Sequence, residues 1–199
     1  EQQGERFVLD NLDGARLKLT DDASLGKNWN GYTNAAPVVR ILQQIVSRPM
    51  KAGESHHFLN VFSTSAARGE HSVNAERVSD TSLRVTAGGE TVLVGVTDGK
   101  RTTVAPGIET DAALFVLRPA GFTLANATVL RADGQTLFQA DAPMSVELDA
   151  ANSRAVLQAS ARRNVAFPGS TVRVNGQAAP TQAKDGLVSF SLPPGRQEI

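Results

Sequence analysis

Two places in the sequence hold residues whose types could do chemistry. One is the adjacent pair His56-His57. The other is the polar stretch DDASLGKNWNGYTNAAP at 21–37, which carries the single Trp (Trp29) and single Tyr (Tyr32) of the chain among Asn28, Asn30 and Asn34. Aromatic faces stack on the C–H faces of sugars, and amides bond their hydroxyls. Trp29, Asn30, Tyr32 and Asn34 are therefore candidate glycan contacts, with His56 and His57 second. The alternative is that Trp29 and Tyr32 plug the end of a sandwich, each using its polar atom on nearby backbone. Elimination at a uronate needs a base for the proton beside the carboxylate, often Tyr or His, and a group such as Asn, Arg or His to neutralise that carboxylate. Tyr32, Asn30, His56 and His57 are of those types. Their order along the chain does not bring them together, so no residue is assigned a catalytic role.

Other chemistries are poorly served. The chain has no cysteine and three histidines. Thiolate metal sites, disulfides and cysteine nucleophiles are thereby excluded. Neighbouring residues on a strand point to opposite faces, so His56 and His57 would not readily share a metal, and no HxH or HExxH spacing occurs. No metal site and no cofactor is expected. There is no nucleophile elbow, phosphate loop or dinucleotide fingerprint. Twenty basic residues balance twenty acidic ones, which argues against nucleic acid as a partner. No apolar run approaches the ~20 residues of a membrane span. With a polar start, EQQGERFVLD, and no initiator methionine, the chain is expected to be a mature, processed or fragmentary one.

The elements that must position these residues read as strands. The segment 40–64, RILQQIVSRPMKAGESHHFLNVFST, holds two apolar runs, Ile41–Val46 and Phe58–Phe62, joined by a polar connector with Pro49 and Gly53. It is the expected centre of the fold. The segment 15–20 alternates Leu17 and Leu19 with Arg16 and Lys18, and 63–72 reads as a loop. Stretches 76–86 and 90–97 form a hairpin about Gly88-Gly89, with Val92–Val96 in the core. Further strands are expected at 112–117, 128–131, 135–139, 145–148, 155–159, 171–174 and 187–192. Asp133-Gly134, Asn175-Gly176 and Asp185-Gly186 supply turns. No amphipathic helix stands out. The expectation is an all-β protein, an antiparallel β-sandwich of two stacked submodules, 1–104 and 105–199, with a change of module near Pro106-Gly107.

The segments GKNWNGY and VVRILQQIVSRPMKAGESHHFLNVFSTS resemble the C-terminal β-sandwich of the heparinase II/III-like polysaccharide lyases. There, a strand of the kind R-I-x-V-x-P is followed by a polar connector and then FLxVL. Arg40-Ile41, Pro49 and Phe58-Leu59-Asn60-Val61-Phe62 take those places, and the ending VSFSLPPGRQEI is similar to a closing strand of such sandwiches. The resemblance implies a bacterial, periplasmic or secreted enzyme that cleaves acidic polysaccharide by elimination. It also implies a helical catalytic domain or chain as partner, with this chain as the supporting sandwich. The rival expectation is a stand-alone carbohydrate-binding or structural sandwich.

Overall fold

The computed structural model describes residues 5–11, 16–22, 39–45, 47–54, 56, 58, 60–66, 73–169 and 171–199. Every regular element among them is a β-strand. Four come from the first third of the chain: β1 (Glu5–Asn11), β2 (Arg16–Asp22), β3 (Val39–Ile45) and β4 (Asn60–Ala66). They form two antiparallel ribbons, β1 with β4 and β2 with β3. The next seven are β5 (Asn74–Ser79), β6 (Ser82–Ala87), β7 (Glu90–Val96), β8 (Thr102–Ala105), β9 (Ile108–Thr110), β10 (Leu114–Arg118) and β11 (Gly121–Ala132). They are followed by β12 (Gln135–Asp149), β13 (Arg154–Ala159), β14 (Arg163–Pro168), β15 (Arg173–Val174) and β16 (Gln177–Ala178). Last come β17 (Gln182–Lys184), β18 (Leu187–Leu192) and β19 (Gly195–Glu198). Apart from the short β15–β16 hairpin, the strands from β5 onward make one 13-stranded antiparallel sheet.

That sheet folds into two layers because its longest hairpin belongs to both. The first half of β11 pairs with β10, and through it with β7, β6 and β5, while the second half of β12 pairs with β13 and then β19. The second half of β11 pairs with β9 and then β8, while the first half of β12 pairs with β14, β18 and β17. The switch occurs at irregularities in the hairpin. From Ala127 to Val129 β11 advances two residues, while from Met144 to Gln139 β12 covers five. Pro143 sits in that excess, where no ladder hydrogen bond is needed. On the facing strand Asn126 takes φ 56°, a left-handed conformation that Asn tolerates better than most residues. Strands that change layer at bulges make the corners of a β-sandwich.

The core lies between the layers. Phe115, Phe122, Leu124, Val146 and Leu157 come from one; Leu130, Phe138, Val165, Phe167, Phe190 and Leu192 come from the other. The ring centroids of Phe138 and Phe167 are 5.4 Å apart, and those of Phe167 and Phe190 are 6.4 Å apart. Each such ring contributes about 1.5–3 kcal/mol by leaving water. Period-two patterning holds well on β18: Val188, Phe190 and Leu192 are buried, and Ser189 and Ser191 are not. The antiparallel β-sandwich expected from the sequence is the architecture found. The boundary anticipated at 104/105 falls at the end of β8, and β7 and β10, from either side of it, are hydrogen-bonded to each other.

Several local expectations need correction. The stretch 76–86 is two strands, since the turn at Asp80-Thr81 separates β5 from β6. β4 continues to Ala66, into what was expected to be a loop. Of Val92–Val96, Leu93 and Gly95 face the core, whereas the three valines are half-buried on the opposite face. Of the run 58–62, the described rings Phe58 and Phe62 are not core: they are 47% and 71% exposed. β4 pairs only with β1 among the described strands, and a two-stranded ribbon has no opposing layer of its own. Among the described residues the fold centres on the β11–β12 hairpin and not on the segment 40–64.

Candidate functional site

The residues singled out for glycan contact fall mostly outside the described set: Trp29, Asn30, Tyr32, Asn34 and His57 all do. His56 is described. It is half-buried in the segment preceding β4, with its ring edge-on to Phe58 at 4.9 Å and 87°. It lies outside any strand, so the opposite-faces argument for the histidine pair does not apply to it. Among the described residues no three His, Cys, Asp or Glu side chains gather as a metal site would require.

A concave polar surface lies elsewhere, on the outer face of the β8-β9-β11-β12 layer. Antiparallel register places Thr103 opposite Glu109, Glu109 opposite Arg131, and Arg131 opposite Thr136. The flanking residues Val104, Thr110 and Leu130 are buried beneath this row, and period-two alternation turns the row outward. Two depressions share Arg131. One, of about 220 Å³, is lined by Thr103, Gly107, Glu109, Arg131 and Gly134. The other, of about 340 Å³, includes Arg101, Asp111, Thr128, Thr136 and Gln139 in its wall.

Tight turns fix the ends of this surface. The Gly107 carbonyl (φ 75°) accepts from the Asp133 N–H at 2.8 Å, and a Cβ at Gly107 would stand 2.3 Å from Asp133 Oδ1. The left-handed φ favours glycine there, and any Cβ would have to push the Asp133 carboxylate aside. At the other end the Asp111 carboxylate accepts from Thr128 N at 2.8 Å, from Val129 N at 3.0 Å and from the Thr128 hydroxyl. Along the row, Arg101 donates to Glu109 Oε2 from Nε at 3.1 Å and from Nη2 at 2.6 Å. Arg131 donates from Nη2 to the Gly134 carbonyl at 2.9 Å, while its Nε is buried with no hydrogen-bond partner.

The charges have unequal duties. The Arg101 guanidinium holds the Glu109 carboxyl below the ordinary glutamate range, with a smaller push from Arg131. Asp111 is engaged by the β11 backbone. Glu109, so held, is not poised to take or give a proton near neutrality. What the groove presents is hydroxyl, amide and guanidinium, a set suited to binding hydroxylated or anionic groups. One signal in the sequence points toward it, the Asp133-Gly134 turn that puts Arg131 across from Thr136. The pairing of β9 with β11 left none. The sequence matches no family model and no curated protein.

The surface ion pairs imply an acid-side loss of stability. Bonds from Arg101 lower the Glu109 pKa, and bonds from Arg154 lower that of Glu198. Lys100 does the same to Asp98, and Asn152 to Asp149. A carboxyl whose pKa is depressed on folding stabilises the fold above its unfolded value, near 4, and loses that contribution as pH falls through the folded value. The thermal midpoint is expected to hold steady down to about pH 5 and to fall below about pH 4. Exposure keeps the effect small and sensitive to salt. Glu109→Gln with Glu198→Gln should flatten the acid limb of a melting-temperature profile; an unchanged limb would show that these pairs carry none of it.

Proposed function

We propose that this chain is the β-sandwich portion of a bacterial, exported polysaccharide lyase that acts on uronate-containing polysaccharide by β-elimination. In this reading it buttresses a helical catalytic domain and helps line the cleft. The pattern of Arg40-Ile41, Pro49 and Phe58–Phe62 supports it, as does the closing segment VSFSLPPGRQEI. That segment forms β18 in one layer and β19 in the other, so the end of the chain ties the sandwich together. The carrying observation is the groove about Arg131. It offers binding groups, and its carboxylates are already held by neighbours, which fits a supporting surface better than a self-sufficient catalyst.

The decisive test is genetic and enzymatic. The gene should encode a helical region joined to, or beside, this sandwich. The chain with that region should release unsaturated uronate product, followed by ultraviolet absorbance, while the chain alone should not. A gene that encodes only this sandwich, with glycan binding and no product, would establish the stand-alone binding module instead. Within the proposal, Trp29→Ala should weaken oligosaccharide binding about tenfold, as loss of one stacking anchor does, with little change in melting temperature. A large stability loss at unchanged affinity would make Trp29 a structural plug.

A further inference from the structure

Of the groove's two arginines, Arg131 has no carboxylate at ion-pair distance among the described residues. Arg101 is paired with Glu109, and Asp111 is bound by Thr128 and Val129. Arg131 stands at the wall common to both depressions, with one hydrogen bond, to the Gly134 carbonyl, and a buried Nε–H that meets no acceptor. An unanswered N–H of that kind is costly, and five donors in a planar fork match a carboxylate bidentately.

We infer that Arg131 anchors a subsite for the carboxylate of a uronate residue, with Thr103, Thr136 and Gln139 placed to bond the sugar hydroxyls. The subsite rests on the glycan-facing reading above and deepens it. A uronate carboxylate meets the guanidinium when the side chain swings from the Gly134 carbonyl into the groove, and it supplies the acceptor that Nε lacks. The same swing leaves the Gly134 carbonyl, which is on an exposed turn, to water. Glu109, opposite Arg131 in register, receives both Arg101 bonds at Oε2 and makes no hydrogen bond to Arg131. A neutral sugar gains only ordinary hydrogen bonds from the guanidinium, so the site favours acidic residues by their charge and the fork geometry together.

The test is calorimetric titration of the chain with oligomers of galacturonate, of mannuronate and of guluronate, with methyl-esterified oligogalacturonate and dextran sulfate as controls. At least one uronate oligomer should bind, the ester about tenfold more weakly, and Arg131→Gln should lose about tenfold in affinity. Gln139→Glu, on an exposed position of β12, should weaken uronate binding by repulsion without touching the fold, and it carries the test if Arg131→Gln fails to fold. Binding that ignores both substitutions but is lost in Trp29→Ala would overturn this subsite and leave the proposed function standing. Dextran sulfate binding as tightly, with the same dependence on Arg131, would overturn the assignment to carboxylate. Absence of binding to every uronate oligomer would overturn the subsite and glycan contact together.

Discussion

Gly95→Ala is expected to destabilise the sandwich by about 3–5 kcal/mol, at the upper end of overpacking effects, and to lower the thermal midpoint by on the order of 10 °C. A Cβ at Gly95 would stand 2.1 Å from the Thr81 carbonyl oxygen, 2.5 Å from Phe115 Cζ and 2.9 Å from Phe115 Cε1. None of the three can give way cheaply. The Thr81 carbonyl is held at that spot because it accepts from Val96 N at 3.0 Å, at the turn that separates β5 from β6. Phe115 is wholly buried in the core. Next to Thr81, Ser82 is also buried. Its hydroxyl donates to the Val104 carbonyl and shares a 2.8 Å hydrogen bond with the Ser79 hydroxyl, so the turn is tied to β8 as well. Thermal unfolding of the variant measures the cost. Pairing Gly95→Ala with Phe115→Leu separates the two obstacles. The backbone oxygen is the nearer one, so trimming the ring should not rescue the variant. Rescue would show that the ring, not the turn, sets the requirement for glycine.

This glycine illustrates what was legible in the sequence and what was not. Gly95 sits inside an apolar run, VLVGV, where it reads as one more core position. The reason for it lies in a turn fourteen residues earlier, and no local pattern marks that approach. By contrast, Gly88-Gly89, Asp133-Gly134, Asn175-Gly176 and Asp185-Gly186 all adopt positive φ at both positions and close two-residue hairpins. Their conformational need is local, so residue type alone reveals it. Strand existence, unanticipated at β8, β9 and β14, was legible for the same reason at β13 and β18, which stand where expected. Strand length was not: the segments expected at 128–131 and 135–139 are pieces of β11 and β12, which run on to 12 and 15 residues. Ala125-Asn126 and Ala140–Pro143 break the alternation, and they read as strand ends when they are bulges where the hairpin changes layer.

The candidate site divides in the same way. Aromatics, histidines and asparagines draw notice by type, whereas the groove is built from Thr, Gln, Glu and Arg, which solvate the outer face of any sheet. What makes them a site is the row Thr103, Glu109, Arg131, Thr136 across four strands, whose middle pair, β9 with β11, is not sequential. Pairing of β9 with β11 depends on tertiary packing, and non-local pairing of this kind writes nothing into the intervening sequence.

Asp111→Ala should cost about 3 kcal/mol, while Asp111→Asn should cost about 1 kcal/mol. The carboxylate lies just beyond β9 and reaches across to β11, where it accepts from two consecutive N–H groups, Thr128 and Val129, and from the Thr128 hydroxyl. Those residues directly follow the Asn126 irregularity, so Asp111 holds the chain at the point where β11 leaves one layer for the other. Alanine removes all three bonds and leaves two part-buried donors to find water. Bonds to a charged acceptor are worth about 1.5–3 kcal/mol each, but they share one carboxylate and are not additive. Asparagine keeps the oxygen that receives both N–H groups, and its amide faces the Thr128 hydroxyl, which can turn to accept. Thr110 provides a neighbouring brace, donating to the Val129 carbonyl at 2.7 Å. Thr110→Val should therefore add to Asp111→Ala less than its own single cost, because both grip Val129 of β11. Chemical denaturation of the two single variants and the double variant measures that coupling. Simple additivity, or an Asp111→Ala cost below about 1 kcal/mol, would show that the crossing is held by the bulge and the core alone.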